Sequence, residues 1–276
     1  MVGAVAPIAL TQQERKTDTG FIIVLAAPVF FLSIAIEWWW GWRQARRGQT
    51  TAQAYRLDDA ISSISLGIMS QLSAVFTRVF RVTIYTLAYE QVALFPDEGF
   101  WWSWYGVLIA LVLYDLCYYA YHRASHEVAV FWAGHVVHHQ SQHYNLSTAL
   151  RQTTSGVVLG WVFYLPMALL GVSPLVFGIV ALIDLLYQFW VHTEHVGKLG
   201  WFDRWFCSPS NHRVHHAVND AYVDRNYGGI WVVWDRLFGS FKEEDPHEPC
   251  VYGTRKPLQS WDPLWANWQE IGRAHV

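Results

Sequence analysis

Five long apolar runs alternate with polar segments along the 276-residue chain. They cover about residues 21–42, 61–92, 100–121, 155–171 and 174–191. Roughly 17 to 25 apolar residues suffice for a helix to cross a bilayer. The pattern therefore predicts an all-α, integral-membrane helical bundle of about four to five spans.

The residues that flank these runs indicate how they are placed. The first run ends in a group of tryptophans followed by arginines, an aromatic belt with the positive charge typical of a cytoplasmic end. These residues are Trp38, Trp39, Trp40, Trp42, Arg43, Arg46 and Arg47. The second run contains Arg78 and Arg81, which are costly at mid-bilayer, so we expect it to be bent, shortened or partly interfacial. The last two runs predict a hairpin around Gly171, Ser173 and Pro174.

Counting the runs predicts the sidedness of the polar segments. If all five runs cross, the segment from His122 to Arg151 and everything after His192 lie on the same side as Arg43. The predicted side is the cytoplasmic face, either of a bacterial cytoplasmic membrane or of the endoplasmic reticulum membrane.

Composition supports a membrane protein. The chain is 53% hydrophobic and 17% aromatic but only 15% charged, whereas soluble domains carry about 25% charged residues. A formal net charge of -3 gives no indication of a nucleic-acid partner. Cys117, Cys207 and Cys250 form no CxxC pair, so neither a thiolate metal site nor a disulfide framework is predicted.

Histidines are concentrated in one part of the chain. Eleven of the thirteen lie between residues 122 and 216, with the spacings HxxxH, HxxHH and HxxHH. The candidate ligands are His122, His126, His135, His138, His139, His192, His212, His215 and His216. Residues three or four apart share a helix face, and neutral imidazole binds zinc, iron, copper or nickel. Eight or nine imidazoles exceed what one ion holds, so the pattern predicts a histidine-rich di-metal cap.

Other histidine-dependent sites fit less well. No HExxH string of a zinc protease is present, and the Glu-x-x-His pairs of soluble di-iron bundles are missing from the histidine-rich stretch. The clusters lie at span ends rather than at mid-membrane, where haem ligands or a transport pathway would be placed. A non-catalytic metal-binding or metal-transport membrane protein remains the alternative from another class.

Five further strings accompany the histidines: NLSTALRQ from Asn145, QFWVHTE from Gln188, NHRVHH from Asn211, NYGG from Asn226 and WDRLFG from Trp234. Over about residues 100–268 the pattern resembles the fatty acid hydroxylase and sterol desaturase superfamily, and within it is most similar to the alkylglycerol monooxygenase branch. The resemblance implies a membrane enzyme that uses two iron ions and O2 on a lipid from the bilayer.

What the resemblance implies for chemistry is specific. The superfamily implies eight histidine-box ligands with His192 as a ninth, and the branch implies an acidic residue important for activity, here Glu127. In that branch a tetrahydropterin is the reductant and the reaction is ether-lipid cleavage. The alternative within the family is a sterol or fatty-acyl hydroxylase or desaturase, supplied with electrons by a cytochrome or ferredoxin.

Buried carboxylates are expected to offset the charge of two metal ions and to accept the second N–H of ligating imidazoles. Asp115 lies seven residues before His122 and Asp184 eight before His192, and we expect both to orient a ligand. Asp235 and Glu194 are weaker candidates.

The remaining polar positions are given smaller roles. His143 and His195 are expected to be surface or supporting residues, and His247 and His275 lie outside every motif. For Asn145 and Arg151, a helix cap and an interfacial arginine are weighed equally against headgroup contact. One membrane-embedded domain is predicted over residues 1–270, with its core at about 100–240. The final residues 271–276 match a translated sequencing adapter, so we expect a non-native tail there.

Overall fold

Helices joined by loops make up the structure, a computed structural model that describes residues 19–49, 55–154 and 160–270, with side chains from Leu25 onward. Within these ranges there are two isolated β-bridges and no extended strand. The predicted all-α class is confirmed. The α-helices are α1 Thr19–Arg46, α2 Leu57–Val92, α3 Glu98–Trp101, α4 Trp104–Glu127, α5 Ala129–His139, α6 Leu165–Leu170, α7 Pro174–Trp190, α8 Phe202–Trp205, α9 Pro209–His216, α10 Val233–Phe238 and α11 Pro263–Trp268. Short 3-10 helices cover Thr148–Leu150 and Gly160–Tyr164.

Three of these helices are long and apolar enough to cross a membrane: α1 from Leu25, α2 and α4. Their outer faces carry large apolar side chains, for example Leu32 at 62% exposure and Phe76 at 79%. Such a surface is stable against acyl chains but costly in water. The prediction of an integral-membrane bundle is confirmed.

The second apolar run is longer than one bilayer crossing, and the described part of the fourth is shorter. The second run is one continuous helix, α2, of 36 residues. Its length of about 54 Å exceeds a hydrocarbon core of about 30 Å, so α2 extends beyond the apolar layer. The described part of the fourth run, Gly160–Leu170, is only an 11-residue helical segment, and it forms a hairpin with the 17-residue α7. The turn lies where it was expected, because Gly171 ends α6 with φ 98°.

One end of the bundle is closed by this turn and by the segment between α2 and α4. Leu94 N–H donates to Leu169 O (2.8 Å), and the indole of Trp101 donates to Phe95 O (2.9 Å). A Cβ on Gly171 would lie 2.1 Å from Phe95 O, so the close approach requires glycine. The apolar core behind this end includes Met167, with Tyr85, Ala110, Ala168, Val172, Val176 and Val180 around it.

The opposite end of the bundle gathers the C-termini of α1, α4 and α7 and the N-terminus of α2. Contacts from Glu37 on α1 and from Asp59 on α2 reach the loops beside His192 and His138. The histidine clusters therefore lie at the same end as Arg43 and Arg46, as the counting argument requires. Which compartment this end faces stays a prediction.

Candidate metal centre

Four segments bring the nine histidines together at this end. They are the last turns of α4, helix α5, the two residues that follow α7 (Val191 and His192), and helix α9. Helix α9 is short but well defined at its start, because the Ser208 hydroxyl accepts from Asn211 N–H and Pro209 occupies the first turn. Seven of the nine histidines are buried, as with His122 at 2% exposure and His216 at 3%, and His126 and His135 are half-buried.

The nine side chains divide into two groups of potential ligands. The five-histidine group is His122, His126, His135, His139 and His215, and the four-histidine group is His138, His192, His212 and His216. Within each group the ligand atoms all lie within 4.8 Å of one another. Each HxxHH box contributes its i and i+4 members to one group and its central histidine to the other. The two groups touch, because the rings of His139 and His216 stack at 4.4 Å between centroids.

Imidazole spacing within the groups fits a shared metal ion. The Nε2 atoms of His122 and His135 are 3.0 Å apart, and those of His192 and His212 are 3.1 Å apart. Metal–nitrogen bonds of about 2.0–2.1 Å place two neighbouring ligand nitrogens about 3 Å from each other. The buried Nε2 atoms of His126 and His215 have no hydrogen-bond partner, which a bound metal ion would explain.

Backbone carbonyls fix the tautomer of several imidazoles. The Nδ1 of His122 lies 2.8 Å from Tyr227 O, and that of His138 lies 2.9 Å from Arg151 O. His192 and His215 make the same contact with Gln188 O (2.8 Å) and Arg225 O (3.0 Å). A carbonyl can only accept, so Nδ1 carries the proton and Nε2 is left with a free lone pair.

Burial keeps these imidazoles neutral. It lowers the pKa of His138 to about 4, and burial together with neighbouring histidines holds the pKa values of His139, His212 and His216 well below their ordinary range. Neutral imidazole is the form that binds metal. The site is therefore ready to ligate at physiological pH without first losing protons.

Asp115 and Asp184, expected beside the imidazoles, contact other groups. Asp115 is fully buried on α4 and accepts from Ile230 N–H (2.6 Å) and the Trp234 indole (2.8 Å). Asp184 accepts from the Gln188 side chain one turn along α7. The 228–234 segment donates to Asp115, and backbone carbonyls are the hydrogen-bond partners of His122, His138, His192 and His215.

Asp235 reaches a ligand through one intervening residue. Its carboxylate accepts from Tyr227 N–H (2.7 Å), Gly228 N–H (2.8 Å) and the Ser240 hydroxyl (2.7 Å), and Tyr227 O is the acceptor for His122. Burial raises the pKa of Asp235 to about 6, against the lowering effect of these hydrogen bonds. Asn226, with φ 57°, fixes the same loop by donating to Asn211 O (3.0 Å).

A buried ion pair supports the four-histidine group. Arg151, at 1% exposure, pairs with Asp59 of α2 (3.2 Å) and donates to Val137 O (2.8 Å). Asp59 also accepts from Ser141 and from two backbone N–H groups of the loop after α5. Arg151 is thus neither interfacial nor free for a headgroup, which corrects both expectations. Burial lowers its pKa to about 10 while Asp59 opposes that shift.

A second carboxylate, Glu37, was missed by the sequence analysis. It lies on α1 and is 7% exposed. It accepts from the hydroxyls of Thr193 and Tyr55 and from Leu146 N–H (2.8 Å). Thr193 follows the ligand candidate His192, so Glu37 ties α1 to that ligand. The only sequence signal was an acidic residue just before four tryptophans, which an interfacial position explains equally well.

Glu127 lies at the end of α4 beside His126. Its side chain is 46% exposed and pairs with Arg123 one turn earlier (2.8 Å). A cavity of about 520 Å³ opens next to it, and four histidines line that cavity: His126, His139, His215 and His216. The predicted active-site carboxylate therefore borders an entrance to the metal centre.

The other histidines and acidic candidates lie outside the two groups. His143 and Glu194 are half-buried in neighbouring loops, and His195 packs against Gly41 of α1. His247 is exposed. Asn145 shapes a turn by accepting from Ser147 N–H (3.0 Å). His275 and the predicted non-native tail lie outside the described residues.

Comparisons with known proteins confirm the resemblance. The fatty acid hydroxylase family model matches residues 107–240. The chain is 42% identical over 211 residues to alkylglycerol monooxygenase of Homo sapiens, covering 76% of this chain and 46% of the relative. It is 37% identical over 259 residues to the Xenopus tropicalis protein of the same name, covering 92% of this chain and 54% of the relative. Ornithine lipid hydroxylase OlsE of Rhizobium tropici is 29% identical over 179 residues, with 62% of this chain and 53% of that protein covered.

The extent of these matches is uneven. The chain spans about half the length of the alkylglycerol monooxygenases it matches. The family match contains every one of the nine clustered histidines. No solved structure matches the chain.

Proposed function

We propose that the chain is a membrane di-iron monooxygenase that hydroxylates the carbon beside the ether oxygen of an alkylglycerol, in keeping with the match of residues 107–240 to the fatty acid hydroxylase family model. The observation that carries this proposal is the pair of touching imidazole groups, open to a cavity at the end of a membrane bundle. Similarity to alkylglycerol monooxygenases supports the choice of substrate.

The reaction balances with one molecule of O2. The C–H bond next to the ether oxygen is replaced by C–OH, and the second oxygen atom leaves as water after uptake of two electrons and two protons. The resulting hemiacetal collapses to a fatty aldehyde and glycerol. When bound, the two iron ions would supply oxygen activation, with a tetrahydropterin as the two-electron reductant.

The residues of the chain position and protect this chemistry. The carbonyls of Tyr227 and Arg151 hold imidazoles in the ligating tautomer. Trp132 and Val136 give the cavity an apolar wall that excludes water from the reacting carbon. Glu127 borders both solvent and the cavity, so its carboxylate is placed to pass protons inward while Arg123 holds it in position.

The proposed orientation places the metal centre toward the cytoplasm. Arg43 and Arg46 lie at the same end of the bundle. The positive-inside rule assigns a span end with such positive charge to the cytoplasm. A soluble reductant would then reach the site directly.

A direct assay tests the proposal. The chain in nanodiscs with Fe(II) and tetrahydropterin is incubated with an alkylglycerol, and parallel samples receive a sterol or a fatty acid. We expect O2-dependent fatty aldehyde from the alkylglycerol alone. Product only from the sterol or fatty acid, or only with a cytochrome or ferredoxin donor, would reassign the substrate or the reductant. Metal uptake without O2 consumption on any lipid would favour the metal-binding alternative.

A further inference from the structure

A second opening lies on the outer face of α4, separate from the cavity over the histidines. This groove of about 370 Å³ is lined by Leu116, Tyr119, Ala120, Ala124, Val128 and Phe238, with Arg123 and Glu127 at its end. Apart from Arg123, Glu127 and the hydroxyl of Tyr119, the lining is apolar. Leu116 and Glu127 are eleven residues apart, which is about 16 Å along a helix, so the groove runs along the C-terminal half of the membrane-spanning helix α4.

Glu127 is the residue that lines both openings. The groove ends at the ion pair of Arg123 and Glu127, and the histidine cavity begins on the other side of Glu127, next to His126. Glu127 is therefore part of the wall of both openings, next to His126 of the five-histidine group.

The lining of the cavity includes a polar, exposed rim. Ala129, Trp132 and Val136 are apolar, whereas the rim includes Thr254 and Asp224, whose half-exposed carboxylate also pairs with His126 (3.4 Å). Thr254 lies beside Arg255, Lys256 and Glu270 in the same wall. Carboxylates and hydroxyls of this kind accept and donate hydrogen bonds to an alcohol-bearing group.

We propose that these two openings form a divided lipid site, with the alkyl chain in the α4 groove and the hydroxyl-bearing headgroup in the histidine cavity. The proposal rests on the proposed function and specifies how the substrate lies. A lipid drawn from the bilayer keeps its chain in apolar surroundings, so the chain follows α4 and the polar end passes Glu127. The carbon at the boundary between chain and headgroup then lies beside the five-histidine group.

This placement selects the position of oxidation. The bond between headgroup and chain is held at the metal centre, and carbons farther along the chain are held away from it in the groove. Arg123, whose guanidinium also donates to the Tyr119 hydroxyl (3.2 Å), keeps Glu127 at the junction. A mid-chain reaction would require the headgroup to leave the polar rim.

Photo-crosslinking tests the orientation without turnover. Two alkylglycerol probes are bound to the chain in nanodiscs, one with a diazirine at the end of the alkyl chain and one with a diazirine on the glycerol. We expect the chain probe to label the 116–128 segment and the glycerol probe to label the 217–224 or 253–256 segments. A reversed pattern would overturn the proposal. Labelling of these segments that persists in excess unlabelled alkylglycerol, or no labelling of them at all, would also overturn it.

Chain-length selectivity provides the second test. Ala120→Trp fills the groove about 10 Å from Glu127, so we expect KM for an octadecyl glycerol to rise about tenfold, equivalent to about two methylenes left unburied. KM for an octyl glycerol should stay within about twofold. The control Leu108→Trp alters an exposed residue of α4 outside the groove and should change neither value. An unchanged octadecyl KM in Ala120→Trp contradicts the proposal, whereas absence of product from any lipid in the unmodified chain contradicts the proposed function.

Discussion

At the scale of single residues, the most consequential contacts join side chains far apart in sequence. Arg151 reaches Asp59 across 92 positions and Thr193 reaches Glu37 across 156. Arg151 also presents the carbonyl that holds His138. Each of these carboxylates therefore acts on the four-histidine group without touching a ligand.

Removing the charge of Asp59 tests this arrangement. Asp59→Asn leaves the buried Arg151 uncompensated, and breaking a buried pair from one side costs roughly 3–5 kcal/mol. We expect a large fall in melting temperature together with loss of metal from one of two sites, measured by thermal unfolding and elemental analysis. The matched control is Glu243→Gln, which removes the exposed pair with Lys198 and should cost at most about 1 kcal/mol. Equal small shifts in both variants would contradict the role given to Asp59.

The ligand groups make a separate prediction for individual histidines. His216→Ala leaves three imidazoles in the four-histidine group, and we expect about one metal ion per chain to be lost along with activity. The five-histidine group should keep its metal because none of its members changes. His247→Ala, at an exposed position, should retain full metal content. Two metals and full turnover in His216→Ala would show that the grouping is wrong.

At the scale of elements, the 224–228 loop supports the five-histidine group, as α1 and α2 support the four-histidine group. Its carbonyls hold His122 and His215. Asn226 is the centre of this loop because its side chain also bonds Lys242 N–H and O. Its left-handed backbone is one that asparagine tolerates better than most residues.

Asn226→Ala should loosen this loop. The variant loses the side-chain bonds and is strained at φ 57°, so we expect metal affinity of the five-histidine group to fall about 10- to 100-fold. Metal titration followed by competition with a chelator measures this directly. Asn145→Ala, which alters a turn near the other group, serves as the comparison. Unchanged affinity at the five-histidine group would argue against support from the loop.

The sequence predicted most of the long elements and the gathering of the nine histidines, but not how the histidines divide into two groups. Apolar runs identify α1, α2 and α4 because their length is a local property, and histidine spacing marks one helix face. Whether His138 joins His135 or His192 depends on how α5 is rotated against α9, which no local pattern records. For the same reason, Glu37 and Asp59 looked like ordinary charges at the ends of apolar segments.

At the scale of the whole molecule, the two ends of the bundle have opposite character. One end carries the 92–104 segment and the turn at Gly171, closed by backbone bonds. The other carries the imidazole groups and the arginines in the last turn of α1, Arg43 and Arg46. The segment from Gly160, beside Tyr121 of α4, leads to the turn at Gly171 at the closed end, and α7 returns from that turn to His192 at the histidine end.

Cysteine labelling in sealed vesicles tests this division. Asp97→Cys lies at the closed end beside α3, and Glu243→Cys lies at the histidine end; both replace exposed carboxylates. With a membrane-impermeant maleimide outside right-side-out vesicles, we expect labelling of Asp97→Cys at once and of Glu243→Cys only after permeabilisation. The unmodified chain, with Cys207 buried and Cys117 and Cys250 half-buried, gives the background. Because α2 and α4 join the two ends directly, labelling of both positions from one side would mean that these helices do not cross, and the inverse pattern would place the metal centre outside the cytoplasm.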